Sequence, residues 1–215
     1  MKLVFACLAV LFLSSALAKL GRRKKPSVAD AFDDAGITEI LNITAPKNWL
    51  KVKYGPIEVK LGNDIYPGDT ILRPTISFDK ADPDAYYTWC LLDPNYNNYP
   101  AKSTKRYPSS IYALYVNIRN LDIKAADVLA SYAGPVPGPG TGEHYYVHLY
   151  WQQKGKIDVK SRDLPDYEVD QRYPFNLTEF LSQHNYCDEP AAGNFHTASF
   201  PDDLQEVCEE GGYCQ

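Results

Sequence analysis

The chain has 215 residues, of which 45% are hydrophobic, 23% charged and 13% aromatic, a balance that excludes a largely disordered protein. Its 22 Lys and Arg stand against 27 Asp and Glu, and the net charge of −5 argues against binding along a nucleic-acid backbone. With 17 Tyr and 16 Pro beside a single Met, strands and loops are favoured over helical bundles, coiled coils and solenoids.

At the N-terminus, Lys2 precedes an apolar run from Leu3 to Leu13 and then Ser14-Ser15-Ala16-Leu17-Ala18. A charged start, an apolar middle and an Ala-x-Ala ending predict a secretory signal peptide over 1–18, and therefore a secreted, extracellular protein. The run is too short to span a bilayer and no later stretch is apolar enough, so no transmembrane segment is expected. Cleavage removes Lys2 and no acid, taking the net charge from −5 to −6. It also removes Cys7 and leaves Cys90, Cys187, Cys208 and Cys214. In an oxidising compartment these four can form two disulfides in any of three pairings, with a bridge expected to pin the C-terminal tail. Cys90 has the alternative of a buried free thiol. Asn42-Ile43-Thr44 and Asn176-Leu177-Thr178 are sequons, which makes Asn42 and Asn176 candidate glycosylation sites.

Lys19 to Lys25 holds five basic residues in seven and reads as a solvated tail. Val28 to Asp34 follows as a short helix, with Ser27 as its cap and Gly36 beyond its end. Past Pro46 the pattern turns to short strands cut by turn residues. Residues 50–54 and 57–61 alternate, and Gly62-Asn63-Asp64 reads as a turn. Ile71 to Phe78 contains Pro74 and is expected at an edge. Tyr86 to Leu92 is a continuous apolar run, the mark of a strand buried on both faces. Ile111 to Ile118 and Tyr145 to Trp151 are further strands, with a helical stretch or turn over Lys124 to Tyr132 between them. Phe175 to His184 carries apolar residues at helical spacing behind a possible Asn176 cap, and Asp202 to Glu210 is a short acidic helix candidate. The expected fold is all-β, an antiparallel β-sandwich of two sheets with a few short peripheral helices. Residues 19–36 form the tail and first helix, 37–207 the domain, and 208–215 a cysteine-bearing C-terminal tail.

Two segments can carry chemistry. Asp93 stands where the buried strand becomes a loop, and Pro94 restricts it to extended conformations. The second runs from Gly134 through Pro137, Gly140 and Gly142 to His144. Alternating Pro and Gly make it stiff yet approachable, and its amides suit an anion. It matches neither nucleotide-binding glycine pattern. In the strand that follows, His144, Tyr146, His148 and Tyr150 share one face. Proton-tunable donors in that arrangement suit a phosphate or another anion. His144 and His148 would lie about 13 Å apart in a strand, too far for one ion, so no metal is expected. No Gly-x-Ser-x-Gly is present, and no enzyme or cofactor is expected.

Residues 37–200 resemble the phosphatidylethanolamine-binding protein family. The resemblance is carried by ordered pieces: Ala45-Pro46 to Tyr54, Val59-Lys60-Leu61-Gly62-Asn63, Ala81-Asp82-Pro83-Asp84-Ala85-Tyr86-Tyr87-Thr88 and Leu92-Asp93-Pro94. Tyr115-Val116-Asn117-Ile118, Asp122-Ile123 and Tyr132-Ala133-Gly134 continue it. The most specific piece, Gly140-Thr141-Gly142-Glu143-His144-Tyr145-Tyr146-Val147, is followed by Phe175-Asn176-Leu177 and Pro190-Ala191-Ala192-Gly193-Asn194-Phe195. The resemblance implies a two-sheet sandwich with a small anion cavity. By position that cavity maps to Asp93, His144 and Tyr146, with Pro137 to Gly142, including Gly140, as a wall. The chain departs from the family where Asn95 replaces a second Asp, Asn97-Asn98-Tyr99 replaces Pro-Ser-Arg, Ser110 replaces Trp, Tyr112 replaces the middle-strand His, and Tyr145 replaces Arg. The ligand-binding set is therefore Asp93, Tyr112, Pro137, Gly140, His144 and Tyr146. The expected partner is a phospholipid head group or small anion. The alternative is an interaction or protease-inhibitor protein with a degenerate cavity, its partner an extracellular protease.

Overall fold

The structure is a computed structural model that describes residues 26–94, 109–160, 167, 172–184 and 186–201. The signal sequence, the basic tail, Asn95 with Asn97 to Tyr99, the 202–210 segment, Cys208 and Cys214 lie outside the described residues.

Helix α1 (Val28–Asp34) starts where expected. Ser27 accepts from the Asp30 amide at 3.1 Å, and Asp30 accepts from the Ser27 amide at 2.9 Å, so two otherwise unpaired N–H groups are satisfied reciprocally. Gly36 then takes a φ of 70° and opens a second short helix, α2 (Ile37–Leu41), that the sequence pattern did not suggest. Phe32, Ile37 and Leu41 face inward from this pair.

Among the described residues nine strands follow: β1 (Lys51–Tyr54), β2 (Ile57–Glu58), β3 (Asn63–Asp64), β4 (Thr75–Ser77), β5 (Tyr86–Asp93), β6 (Ser110–Ile118), β7 (Asp127–Ala130), β8 (His144–Gln153) and β9 (Ala192–Ala198). They make a three-stranded sheet ordered β2-β1-β4 and a six-stranded sheet ordered β3-β9-β8-β5-β6-β7. The apolar run of β5 is explained by its central place between β8 and β6. Pro74 immediately precedes β4, which is an edge strand, as a residue without an N–H requires.

Three expectations need correction. The sheet is not wholly antiparallel, because β3 pairs parallel to β9. The Gly62-Asn63-Asp64 turn contains that short strand, drawn in by Gly62 N–H donating to Phe195 O at 2.8 Å. Of the helical stretch or turn expected over Lys124 to Tyr132, a turn is present before Asp127, and Asp127 to Ala130 form β7, whose Asp127 and Val128 pair with β6. Local propensity there yields to an open sheet edge. The expected helix near the C-terminal end is present as α3 (Leu177–Gln183), capped by Asn176 Oδ1 accepting from Glu179 N–H at 3.1 Å.

Alternation along the central strands separates two cores. Cys90, Leu92, Val147, Leu149 and Trp151 point to the face covered by α1, α2 and α3. Trp89, Leu91, Tyr146 and Tyr150 point to the other face, where they share one apolar cluster with Leu50, Val52 and Tyr54. Gly193 allows the first core to close: a Cβ there would sit 2.6 Å from Pro46 and 2.9 Å from Phe32. Asn194, fully buried, ties β9 to the smaller sheet. Its amide donates to Leu50 O and Val59 O, and its oxygen accepts from Leu61 N–H, each at 2.9 Å.

Cys90 is a buried free thiol, pushed up to about 12 by that burial, and Cys187 is free and half-buried. No disulfide is formed at either, and the tail cysteines of the expected bridge, Cys208 and Cys214, lie outside the described residues. Asn42 and Asn176 are both exposed; the Asn176 cap engages the side-chain oxygen, not the nitrogen that a glycan would take. No helix among the described residues is long and apolar enough to cross a membrane.

Candidate functional site

Asp93 is the last residue of β5 and His144 the first of β8. Antiparallel pairing of these neighbours runs Leu92 opposite Val147 and brings their ends together. His144 Nδ1 lies 2.7 Å from Asp93 Oδ2, with Asp93 wholly buried and His144 only 3% exposed. Two stretches 51 residues apart therefore converge on one point.

Tyr146, two residues along β8, stacks beside His144 at 6.4 Å between ring centroids. Tyr112 meets Tyr146 edge-on at 5.3 Å. Tyr112 reaches that face because the β5–β6 ladder shifts register between Leu91, opposite Ala113, and Leu92, opposite Ile111. The extra residue in this bulge is Tyr112. Four of the six residues singled out from the sequence thus lie together. Pro137 is buried in the 134–142 segment, and Gly140 is exposed with open space where a Cβ would be. Neither makes a described contact with the four.

The sequence reading missed Thr141 as a contact residue. Its Oγ1 sits 2.8 Å from His144 Nε2 and donates to Gly138 O at 2.7 Å. A hydroxyl has one proton, so with that proton on Gly138 the imidazole is the donor at Nε2. Nδ1 faces the Asp93 carboxylate on the other side. This direction is opposite to what activation of Thr141 as a nucleophile would need. The signal for Thr141 was its place three residues before His144 in a tight Gly-x-Gly turn, where Gly140 and Gly142 adopt φ of 70° and 79°.

Arg172 was also missed. It spans the back of Tyr112, donating to Ser131 O at 2.9 Å and approaching the carbonyls of Ile111 and Tyr112. Nothing in the local sequence signals this, since it depends on the 172 segment crossing β6. His196 of β9 was overlooked as well. It is fully buried and stacks under Tyr146 at 5.4 Å, so it forms the floor of the site. A cleft of about 360 Å³ opens nearby, lined by Asp64, Tyr66, Glu143 and Phe200 among others. It lies beside His144 in sequence, through Glu143, but none of Asp93, Tyr112, His144 and Tyr146 lines it. No cluster of three metal-ligating side chains occurs among the described residues.

A family model described as phosphatidylethanolamine-binding protein matches residues 44–196. The chain is 27% identical over 172 residues to the protein named "Putative odorant-binding protein A5" of Drosophila melanogaster, covering 80% of this chain and 79% of that one. Among solved structures, it is similar to a carboxypeptidase Y inhibitor complexed with its cognate proteinase, with a TM-score of 0.63, 20% identity, and coverage of 81% of this chain and 95% of the other. A phosphatidylethanolamine-binding protein from Plasmodium vivax gives a TM-score of 0.63 at 16% identity, covering 82% of this chain and 98% of its own.

Proposed function

The chain belongs to the phosphatidylethanolamine-binding protein family, and from that premise we propose that it is a secreted binding protein, a two-sheet sandwich that takes a small anion such as a phospholipid head group in a recess that opens over the buried Asp93, His144 and Tyr146 beside Tyr112 when Thr141 moves aside. The observation that carries this reading is the 2.7 Å contact that fixes His144 against Asp93, with Nε2 aimed at a hydroxyl on a Pro/Gly loop. A ligand reaches the imidazole by displacing Thr141. Exchanging a neutral acceptor for a phosphate oxygen makes the bond charge-assisted, roughly twice as strong. Secretion is supported by the leader-like residues 1–18. A binding role is supported by the Thr141 hydroxyl, whose proton goes to Gly138 O and not to His144.

Calorimetry with phosphoethanolamine and inorganic phosphate tests this reading. Saturable heat is expected for the parent at millimolar ligand and not for His144→Phe, which keeps a ring but loses the Nε2 donor. No heat from the parent at that concentration would overturn the reading.

One observation favours a second reading, an extracellular protease as partner. Ile71 and Leu72 are 67% and 81% exposed, and Val136 is 53% exposed on the adjoining loop. The two loops are joined by the Tyr132 hydroxyl donating to Thr70 O and by Thr70 Oγ1, which gives its proton to Pro67 O at 2.8 Å and lies 3.4 Å from Pro135 O. Loss of protease inhibition in Leu72→Asp, with His144→Phe unaffected, would establish that reading; the reverse pattern would remove it.

A further inference from the structure

Where β1 of the smaller sheet lies over β8 and β9 of the larger, two imidazoles meet. His148 and His196 are both fully buried, with ring centroids 5.5 Å apart. Tyr54 of β1 covers the pair: its ring is 5.6 Å from His196 and 6.1 Å from His148, and its hydroxyl is 3.4 Å from His148 Nε2. Trp89 of β5 stacks on His148 at 6.0 Å with the planes 9° apart.

The surroundings are aromatic and uncharged. The titratable groups facing the pair are Tyr54 from β1, Tyr146 from β8 and, through Tyr54, Tyr132. Asp93, farther along β5, is committed to His144. Among the described residues no hydrogen-bond partner reaches His148 Nδ1 or either nitrogen of His196. A proton on either ring would therefore be a buried, unpaired charge, a state that proteins avoid strongly.

Burial accordingly holds His196 down to about 3, and holds His148 well below its ordinary value, with His196 beside it lowering it further. The unfolded or opened chain takes up protons near 6.5. The closed state thus binds fewer protons below that pH. Its stability is complete above 6.5, falls as the pH drops, and stops falling only near the closed-state values.

We propose that His148 and His196 form an acid-sensitive latch between the two sheets: a proton on either imidazole is accommodated only by lifting Tyr54 and β1 away, which admits water beneath Tyr146. Each imidazole raises the opening equilibrium about fivefold between pH 6.5 and 5.5 and the pair about thirtyfold, approaching tenfold and hundredfold per unit at lower pH. Tyr146 stacks on His196 and touches Tyr112 and His144, so the recess loses its floor when the latch opens. The latch stands without any ligand; only this consequence for the recess rests on the binding function proposed above.

The test is urea unfolding of the full mature chain, without ligand, from pH 7.5 to 5, for the parent, His148→Phe, His196→Phe and the double variant. Phenylalanine keeps the ring packing and removes the titrating nitrogens. The difference between parent and double variant is expected to widen about thirtyfold between pH 6.5 and 5.5 and more steeply below, and each single variant to carry about half of that on a logarithmic scale. A double variant with the parent's pH dependence overturns the proposal. Should a variant fail to fold, histidine NMR of the parent decides: a folded-state midpoint at or above 6 for either ring overturns it, and midpoints below 5 uphold it. Amides of Val52 and Tyr54 are expected to exchange faster at pH 5.5 than at 7.5 while those of β5 stay protected, and uniform acceleration overturns the local opening. Phosphate calorimetry at pH 7.5 is unaffected by either result, so failure of the latch and failure of the binding function are distinguishable.

Discussion

Replacing Asn194 with Ala should cost more than any other single polar truncation between the two sheets. The side chain is fully buried and makes four bonds at 2.9 Å: to Leu50 O, to Val59 O, from Leu61 N–H and from Phe195 N–H. The last is a contact between adjacent residues and is set aside. The other three hold the β1–β2 region against β9. A buried backbone group left without a partner costs about 1–3 kcal/mol. Three such groups give roughly 3–9 kcal/mol, and water entering the vacated space brings the expectation to about 3–5 kcal/mol. Domains are usually stable by about 5–15 kcal/mol, so the variant should fold but be visibly weakened. Urea unfolding at pH 7.5, followed by tryptophan fluorescence, gives the difference at constant slope. Asn63→Ala is the control. Among the described residues its half-buried amide bonds Lys60 N–H and Glu58 O, three and five residues away, and a loss under about 1 kcal/mol is expected. If Asn194→Ala falls within about 1 kcal/mol of the parent, the claim that this side chain joins the sheets is wrong.

Thr141→Val keeps the shape and removes the hydroxyl that occupies His144 Nε2, so phosphoethanolamine should bind about fivefold tighter, the equivalent of one ordinary hydrogen bond of about 1 kcal/mol that the ligand no longer displaces; calorimetry showing equal or weaker affinity would contradict the displacement step. Cys90 is buried, with its thiol pushed up to about 12, whereas Cys187 is half-buried. Iodoacetamide at pH 8 should therefore alkylate Cys187 in the native protein and reach Cys90 only in urea, as read by peptide mass mapping; prompt native labelling of Cys90 would show that β5 is not the closed central strand described.

Much of the site was legible because its signals are local. The Asp-Pro at the end of an apolar run located Asp93. Period-two alternation put His144, Tyr146, His148 and Tyr150 on one face, and the structure places Tyr146 and Tyr150 in the same core cluster. The Ser27 and Asn176 caps were equally plain, since a cap is a contact across three residues. What could not be read was Tyr112's direction, which hangs on a one-residue slip against β5, and Arg172's reach across β6.

By itself the sequence determined a β-rich domain, the family resemblance and the identity of the strand that carries the imidazole, because hydrophobic period and turn chemistry act over a few residues. Only the tertiary structure decided that β3 joins β9 in parallel, that Lys124 to Tyr132 completes a sheet edge, and that Thr141 closes over His144. It also decided that His148 and His196, 48 positions apart in the sequence, share one dry interior. Those outcomes depend on which distant backbone groups find partners and which polar atoms are removed from water, and neither quantity exists until the sheets have assembled.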